Sequence, residues 1–150
     1  RISKKIVYKL FGTVIGKKIA ILGFAYKANT NDTRESSAIK ICKNLIEEGA
    51  CLAIYDPKVK RQQIEKDLSI NCSEEAKIRS WISAKSISEA ANNADAIVIL
   101  TEWNEFKYIQ WEKIQKIMGT PSWLIDTRNI SNYDDALSSG MKIWRIGIDN

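Results

Sequence analysis

The 150 residues contain no histidine, which removes Ser-His-Asp and Cys-His nucleophile pairs, His-ligated zinc and the side chain that most often moves protons near neutral pH. Any catalysis would fall to Lys, Cys or carboxylates. There are three cysteines, Cys42, Cys51 and Cys72. They form no C-x-x-C, so neither a disulfide framework nor a zinc knuckle is indicated, and a reducing cytoplasm is the expected setting. The longest uninterrupted apolar run, Ile19 to Tyr26, is far short of the ~20 residues a membrane helix needs. Acidic residues are missing from positions 1–31, which carry Arg1, Lys4, Lys5, Lys9, Lys17, Lys18 and Lys27. The net charge of +5 is therefore local, and the remainder is slightly acidic. A solvated lysine face accounts for such a run more readily than nucleic acid does, so no nucleic-acid partner is expected.

With 45% hydrophobic and 27% charged residues, the composition is that of one globular domain with a real core. The opening RISKKIVYKLF has no signal-peptide apolar region or cleavage site. Beginning at Arg1, the chain is expected to be a piece of something longer.

Apolar positions Ile2, Ile6, Val7, Leu10 and Phe11 recur at helical spacing, and Gly12 and Gly16 bracket the exit of that helix. Lys18–Phe24 reads as a short strand buried on both faces. After a polar loop, Ala38, Ile41, Cys42, Leu45 and Ile46 form one helical stripe. Asp32 with Glu35 makes a capping-box-like start, and Gly49 is placed to end the helix. Strands are expected at 52–55, 96–100, 123–126 and 142–146, with an ambiguous short one within 81–85. Helices are expected near 61–68, 88–93, 111–118 and 133–138. This alternation predicts an α/β, Rossmann-like three-layer sandwich with a mostly parallel sheet, preceded by the end of a longer helix. Ligands of such sheets sit at the carboxyl ends of the strands, after Phe24, Tyr55, Leu100 and Ile125.

The first of those ends reads Gly23-Phe24-Ala25-Tyr26-Lys27-Ala28, where a dinucleotide fingerprint wants G-x-G-x-x-G; Ala25 and Ala28 replace the second and third glycines. Asp56 either mimics a ribose-binding acid or forms a turn before Pro57. Tyr26, Lys27 and Arg34 near a helix start suit a nucleotide diphosphate, with the ring on a base or sugar and the cations on phosphate. The bland alternative pairs Arg34 with Glu35 or Glu47. Arg128 is a second anion-binding candidate, its alternative a salt bridge to Asp126. Glu102 is a lone carboxylate, more often structural than catalytic.

GFAYK, DTRES, YDPKV, TEW and DTR, in this order and across essentially the whole chain, resemble the C-terminal UDP-binding domain of the UDP-glucose/GDP-mannose dehydrogenase family, and DTRES with TEW looks closer to its UDP-glucose 6-dehydrogenases than to its GDP-mannose or N-acetylmannosamine members. The resemblance implies an NAD-dependent enzyme that oxidises UDP-glucose to UDP-glucuronate with two NAD, cytoplasmic and homo-oligomeric at full length, with NAD held mainly by an N-terminal domain that these residues do not include. Residues 1–13 would end the central connecting helix and 14–150 would form the UDP-sugar-binding domain. By position, Tyr26, Lys27 and Arg128 match the family's substrate contacts and Arg34 the arginine that reaches NAD. Thr127 stands where many members carry glycine, and Asn129 where some carry a second arginine. No cysteine lies in the family's S-C-F-x-K-D context, so no catalytic residue and no metal site are expected here, and this segment alone is expected to be inactive. The alternative is a non-catalytic nucleotide-sensing or interaction module of the same fold.

Overall fold

A computed structural model describes residues 2–10, 12–69 and 80–146; Phe11 and Cys72 lie outside them. Helix α1 (Ile2–Lys9) precedes a regular alternation: β1 (Lys18–Leu22), α2 (Ser37–Glu47), β2 (Cys51–Tyr55), α3 (Arg61–Asp67), β3 (Trp81–Ser83), α4 (Ile87–Ala91), β4 (Ala96–Ile99), a 3-10 turn (Asn104–Tyr108), α5 (Trp111–Ile117), β5 (Trp123–Asp126), α6 (Tyr133–Ser138) and β6 (Lys142–Arg145). The ambiguous stretch near 81–85 is a genuine strand. The 3-10 turn falls where only a loop was expected, and each remaining described helix and strand lies within a few residues of its sequence-predicted range.

The six strands are ordered β3-β2-β1-β4-β5-β6, and every pairing is parallel. Parallel strands need crossovers that bury both faces of the sheet. The central strands accordingly read as unbroken apolar runs: Ile19–Leu22 and Ala96–Ile99 have no exposed residue. Burying one such side chain stabilises by about 1.5–3 kcal/mol. The chain winds outward from β1 to β3, then returns to β4 and winds the other way. Right-handed crossovers therefore put α2 and α3 on one face and α4, α5 and α6 on the other. Between β1 and β4 the strand order reverses, and the carboxyl ends there define the crevice where this topology takes ligands.

Helix α1 belongs to this body. Ile6, Leu10 and Val14 are fully buried, and Asn44 Nδ2 on α2 donates to Ser3 Oγ at 3.1 Å.

The start of α2 corrects the capping-box reading. Asp32 spends its carboxylate on Arg34, and Glu35 has φ +61°, outside helical space. Ser36 is the N-cap instead: its Oγ accepts from the Ala38 amide and donates to the Phe24 carbonyl. The helix thus begins at Ser37, and its first turn is tied to the end of β1. The predicted stripe holds, with Ala38, Ile41, Cys42 and Leu45 buried and Ile46 partly so.

Candidate functional site

At the switch point the two strand ends pack too closely for any side chain between them. Gly23 has φ +96°, and a Cβ there would stand 2.5 Å from Thr101 Oγ1 and 2.7 Å from its amide nitrogen. Thr101 is fully buried, and its Oγ1 donates to the Ala25 carbonyl at 2.9 Å. Glycine is required at 23 both by conformation and by space.

Asp56, just beyond β2, ties three loops together. Its Oδ2 accepts from the Phe24 amide at 2.7 Å, the Ala25 amide at 3.0 Å and the Trp103 indole at 3.1 Å. Its Oδ1 accepts from the Lys58 and Val59 amides at 2.9 and 3.0 Å. The turn-forming reading of Asp56 is therefore borne out and the ribose-acid reading is not: both oxygens are committed to the protein. Trp103 is buried over the carboxylate, and Tyr55 donates its hydroxyl to Glu105 Oε1 at 2.7 Å while its ring leans on Phe106. Burial, and then the Glu105 carboxylate, push the Tyr55 hydroxyl above its ordinary range. The loop after β4 thus closes over the ends of β1 and β2.

Beyond this closed region, Tyr26 is 46% exposed and Lys27 is exposed. Among the described residues nothing hydrogen-bonds to or pairs with the Lys27 ammonium. The Tyr26 amide donates to the Asp32 carbonyl at 2.8 Å, so the turn is pinned while both side chains stay available.

At the end of β5, the buried Asp126 organises its own loop, accepting from the amides of Arg128, Ile130 and Ser131 and from Ser131 Oγ. Only the Arg128 backbone bonds Asp126, so the expected alternative, a salt bridge, is absent. The guanidinium instead donates through Nε to the Leu100 carbonyl at 3.0 Å and lies 3.9 Å from Glu102 Oε1. That oxygen is buried with no hydrogen-bond partner. Anchoring through Nε leaves both terminal nitrogens of Arg128 uncommitted.

Arg34 pairs with neither Glu35 nor Glu47. Its Nε and Nη2 grip Asp32 at 3.1 and 2.9 Å, and its side chain is 88% exposed. The grip holds the Asp32 carboxyl down at about 2. Arg34 lines a cavity of about 670 Å³ with Lys60, which precedes α3, and with Gln63 and Lys66 of α3. The sheet edge thus brings Tyr26, Lys27 and Arg128 to the ends of β1 and β5, while Arg34 faces α3. One further cation was not read from the sequence: Arg145 donates to Asn129 Oδ1 at 3.1 Å and lies 4.1 Å over the Tyr133 ring. It was missed because its partners come from a different loop and helix.

Cys42 is fully buried, and burial raises its thiol far above the usual range. Cys51 is exposed, but it opens β2 and so lies at the opposite, amino edge of the sheet. Neither is placed to act at the carboxyl edge. Among the described residues no cluster of acidic and sulfur groups fit for a metal occurs, and no helix is long and apolar enough to cross a membrane.

Residues 20–133 match the model of the UDP-glucose/GDP-mannose dehydrogenase family, UDP binding domain. The chain belongs to this family. It is 45% identical over 151 residues to the UDP-glucose 6-dehydrogenase of Pongo abelii and 44% identical to that of Drosophila melanogaster, in each case across 98% of this chain. It spans about a third of the length of these curated relatives. The fold is that of the UDP-D-ManNAc dehydrogenase of Pyrococcus horikoshii, at TM-score 0.73 and 28% identity over 97% of this chain and 30% of that one. It is also that of the NDP-N-acetyl-D-galactosaminuronic acid dehydrogenase of Methanosarcina mazei, at TM-score 0.74 over 97% of this chain and 28% of that one. In this chain the first strand turn has its Phe24 and Ala25 amides already bonded to Asp56. That turn does not fit the main site of a dinucleotide such as NAD.

Proposed function

We propose that this UDP-binding domain holds UDP-glucose for an NAD-dependent UDP-glucose 6-dehydrogenase, the activity named for its relatives. The observation that carries the reading is Arg128, fixed by Nε to the Leu100 carbonyl with both terminal nitrogens free at the edge where Lys27 is unpaired. A planar fork and a point cation together suit a diphosphate. In this reading Tyr26 packs on the base or sugar and Lys27 and Arg128 meet the phosphates. Arg34, displayed beside α3, reaches outward to NAD held mainly by another domain. The protein it serves is cytoplasmic and homo-oligomeric, with residues 1–13 ending a connecting helix and 14–150 forming the UDP-sugar domain. It has no nucleic-acid partner.

In this reading the reacting cysteine and most of the NAD site come from outside these 150 residues, which by themselves form no NADH from UDP-glucose. NADH production by this chain alone would contradict that.

Thermal unfolding of the chain with UDP-glucose, UDP, GDP-mannose and NAD tests the reading. A ligand at about 100 times its dissociation constant adds roughly 2.7 kcal/mol, a midpoint rise of about 5–11 °C at this length. The uridine ligands alone should raise it. An equal rise with GDP-mannose, or none with UDP, would contradict the assignment.

A further inference from the structure

In a dinucleotide-binding domain of this topology, the turn after β1 brings backbone amides against the ligand's pyrophosphate. Here the amides of that turn are taken. Phe24 and Ala25 donate to a single carboxylate oxygen of Asp56, the Trp103 indole donates to the same atom, and the two carbonyls of the turn accept from Ser36 and Thr101. An anionic oxygen bonded by three N–H donors is the arrangement that a phosphate oxygen would require.

We infer that Asp56 is a specificity-determining residue, an internal anion that occupies the pyrophosphate position of the β1 turn and turns a nucleotide's phosphates away toward Lys27 and Arg128. Two effects act together. The donors are already satisfied, so a ligand gains nothing without displacing Asp56. The carboxylate charge also repels any phosphate that approaches, and selectivity built from such repulsion needs no new attractive contact. Asp56 is held from its own side by the Lys58 and Val59 amides, so moving it aside would break five hydrogen bonds. The destination of the phosphates rests on the UDP reading above. The closure of the turn does not.

The test is a pyrophosphate titration of the isotopically labelled chain and of Asp56→Ala, followed by amide nuclear magnetic resonance. In the parent chain the Phe24 and Ala25 amides should stay still while those around Lys27 and Arg128 move. In Asp56→Ala the Phe24 and Ala25 amides should move, with an apparent affinity there about tenfold or more above the parent's. A merely structural aspartate predicts no such gain. Movement of the Phe24 and Ala25 amides in the parent, or their failure to respond in the variant, would overturn the closure. Silence around Lys27 and Arg128 in both chains would overturn the second half, together with the UDP reading beneath it. If Asp56→Ala is unfolded in plain buffer, millimolar pyrophosphate should restore its folded circular dichroism where chloride of equal ionic strength does not. No restoration would count against the inference.

Discussion

Asp56 and Asp126 sit at neighbouring kinds of position, the carboxyl ends of β2 and β5, and both spend their oxygens on backbone amides. Among the described residues, the Asp126 carboxylate bonds only residues 128, 130 and 131 of its own loop. Asp56 also reaches Phe24, Ala25 and Trp103, far away in sequence. The consequence is a sheet edge in two regions. On the β1–β2 side the chain closes over itself, and on the β4–β5 side an organised loop displays Arg128. Similar local chemistry produces a plug in one place and a platform in the other, according to whether the acceptor reaches beyond its own loop.

Substitutions in the closed region should cost stability, and those in the open region should cost affinity. Gly23→Ala should be the most damaging, at about 4 kcal/mol in urea unfolding, because strained backbone and collision with Thr101 add. A loss under about 1 kcal/mol would show that the strand ends can separate. Asp56→Ala should lose about 3 kcal/mol, since buried donors lose their acceptor. Arg128→Ala should behave differently, weakening UDP by about 30-fold, or about 2 kcal/mol, with a smaller change in unfolding midpoint.

Tyr55→Phe sharpens the contrast at high pH. The folded state holds the Tyr55 proton more tightly than the unfolded chain, whose value is near 10.0. The stability this contributes is full below that value and is lost as pH rises beyond it. The phenylalanine variant should lose about 1 kcal/mol at neutral pH and show a shallower alkaline decline. Arg34→Ala should be the mildest, leaving the urea unfolding midpoint at the parent's value, because its pair with Asp32 is exposed. Whatever that pair contributes is present above the unfolded carboxylate value of 3.8 and fades as pH falls toward about 2.

The fold was legible because burial on both faces writes continuous apolar strands, as in KIAIL and AIVI, and because the first crossover helix, α2, carries its own apolar stripe. What misled was the choice between equivalent polar residues. Asp32, Glu35 and Ser36 all offer caps, and only the path of the chain commits Asp32 to Arg34 and leaves Ser36 to α2. In the candidate site, Tyr26, Lys27 and Arg128 could be read from position at strand ends. The work of Asp56 could not, because its decisive donors, the Phe24 amide and the Trp103 indole, lie 32 and 47 residues away. The free ends of Arg128 were equally invisible, since they depend on a carbonyl of β4's exit rather than on the neighbouring Asp126.

The central claim is that this open region is a uridine-diphosphate site built on Arg128. Calorimetric titration of UDP into the parent chain and into Arg128→Ala, at low and physiological salt, tests it most directly. Measurable binding by the parent, weakened about 30-fold in the variant with a shallower salt dependence, is the predicted result. Equal affinity of the two chains would contradict the account.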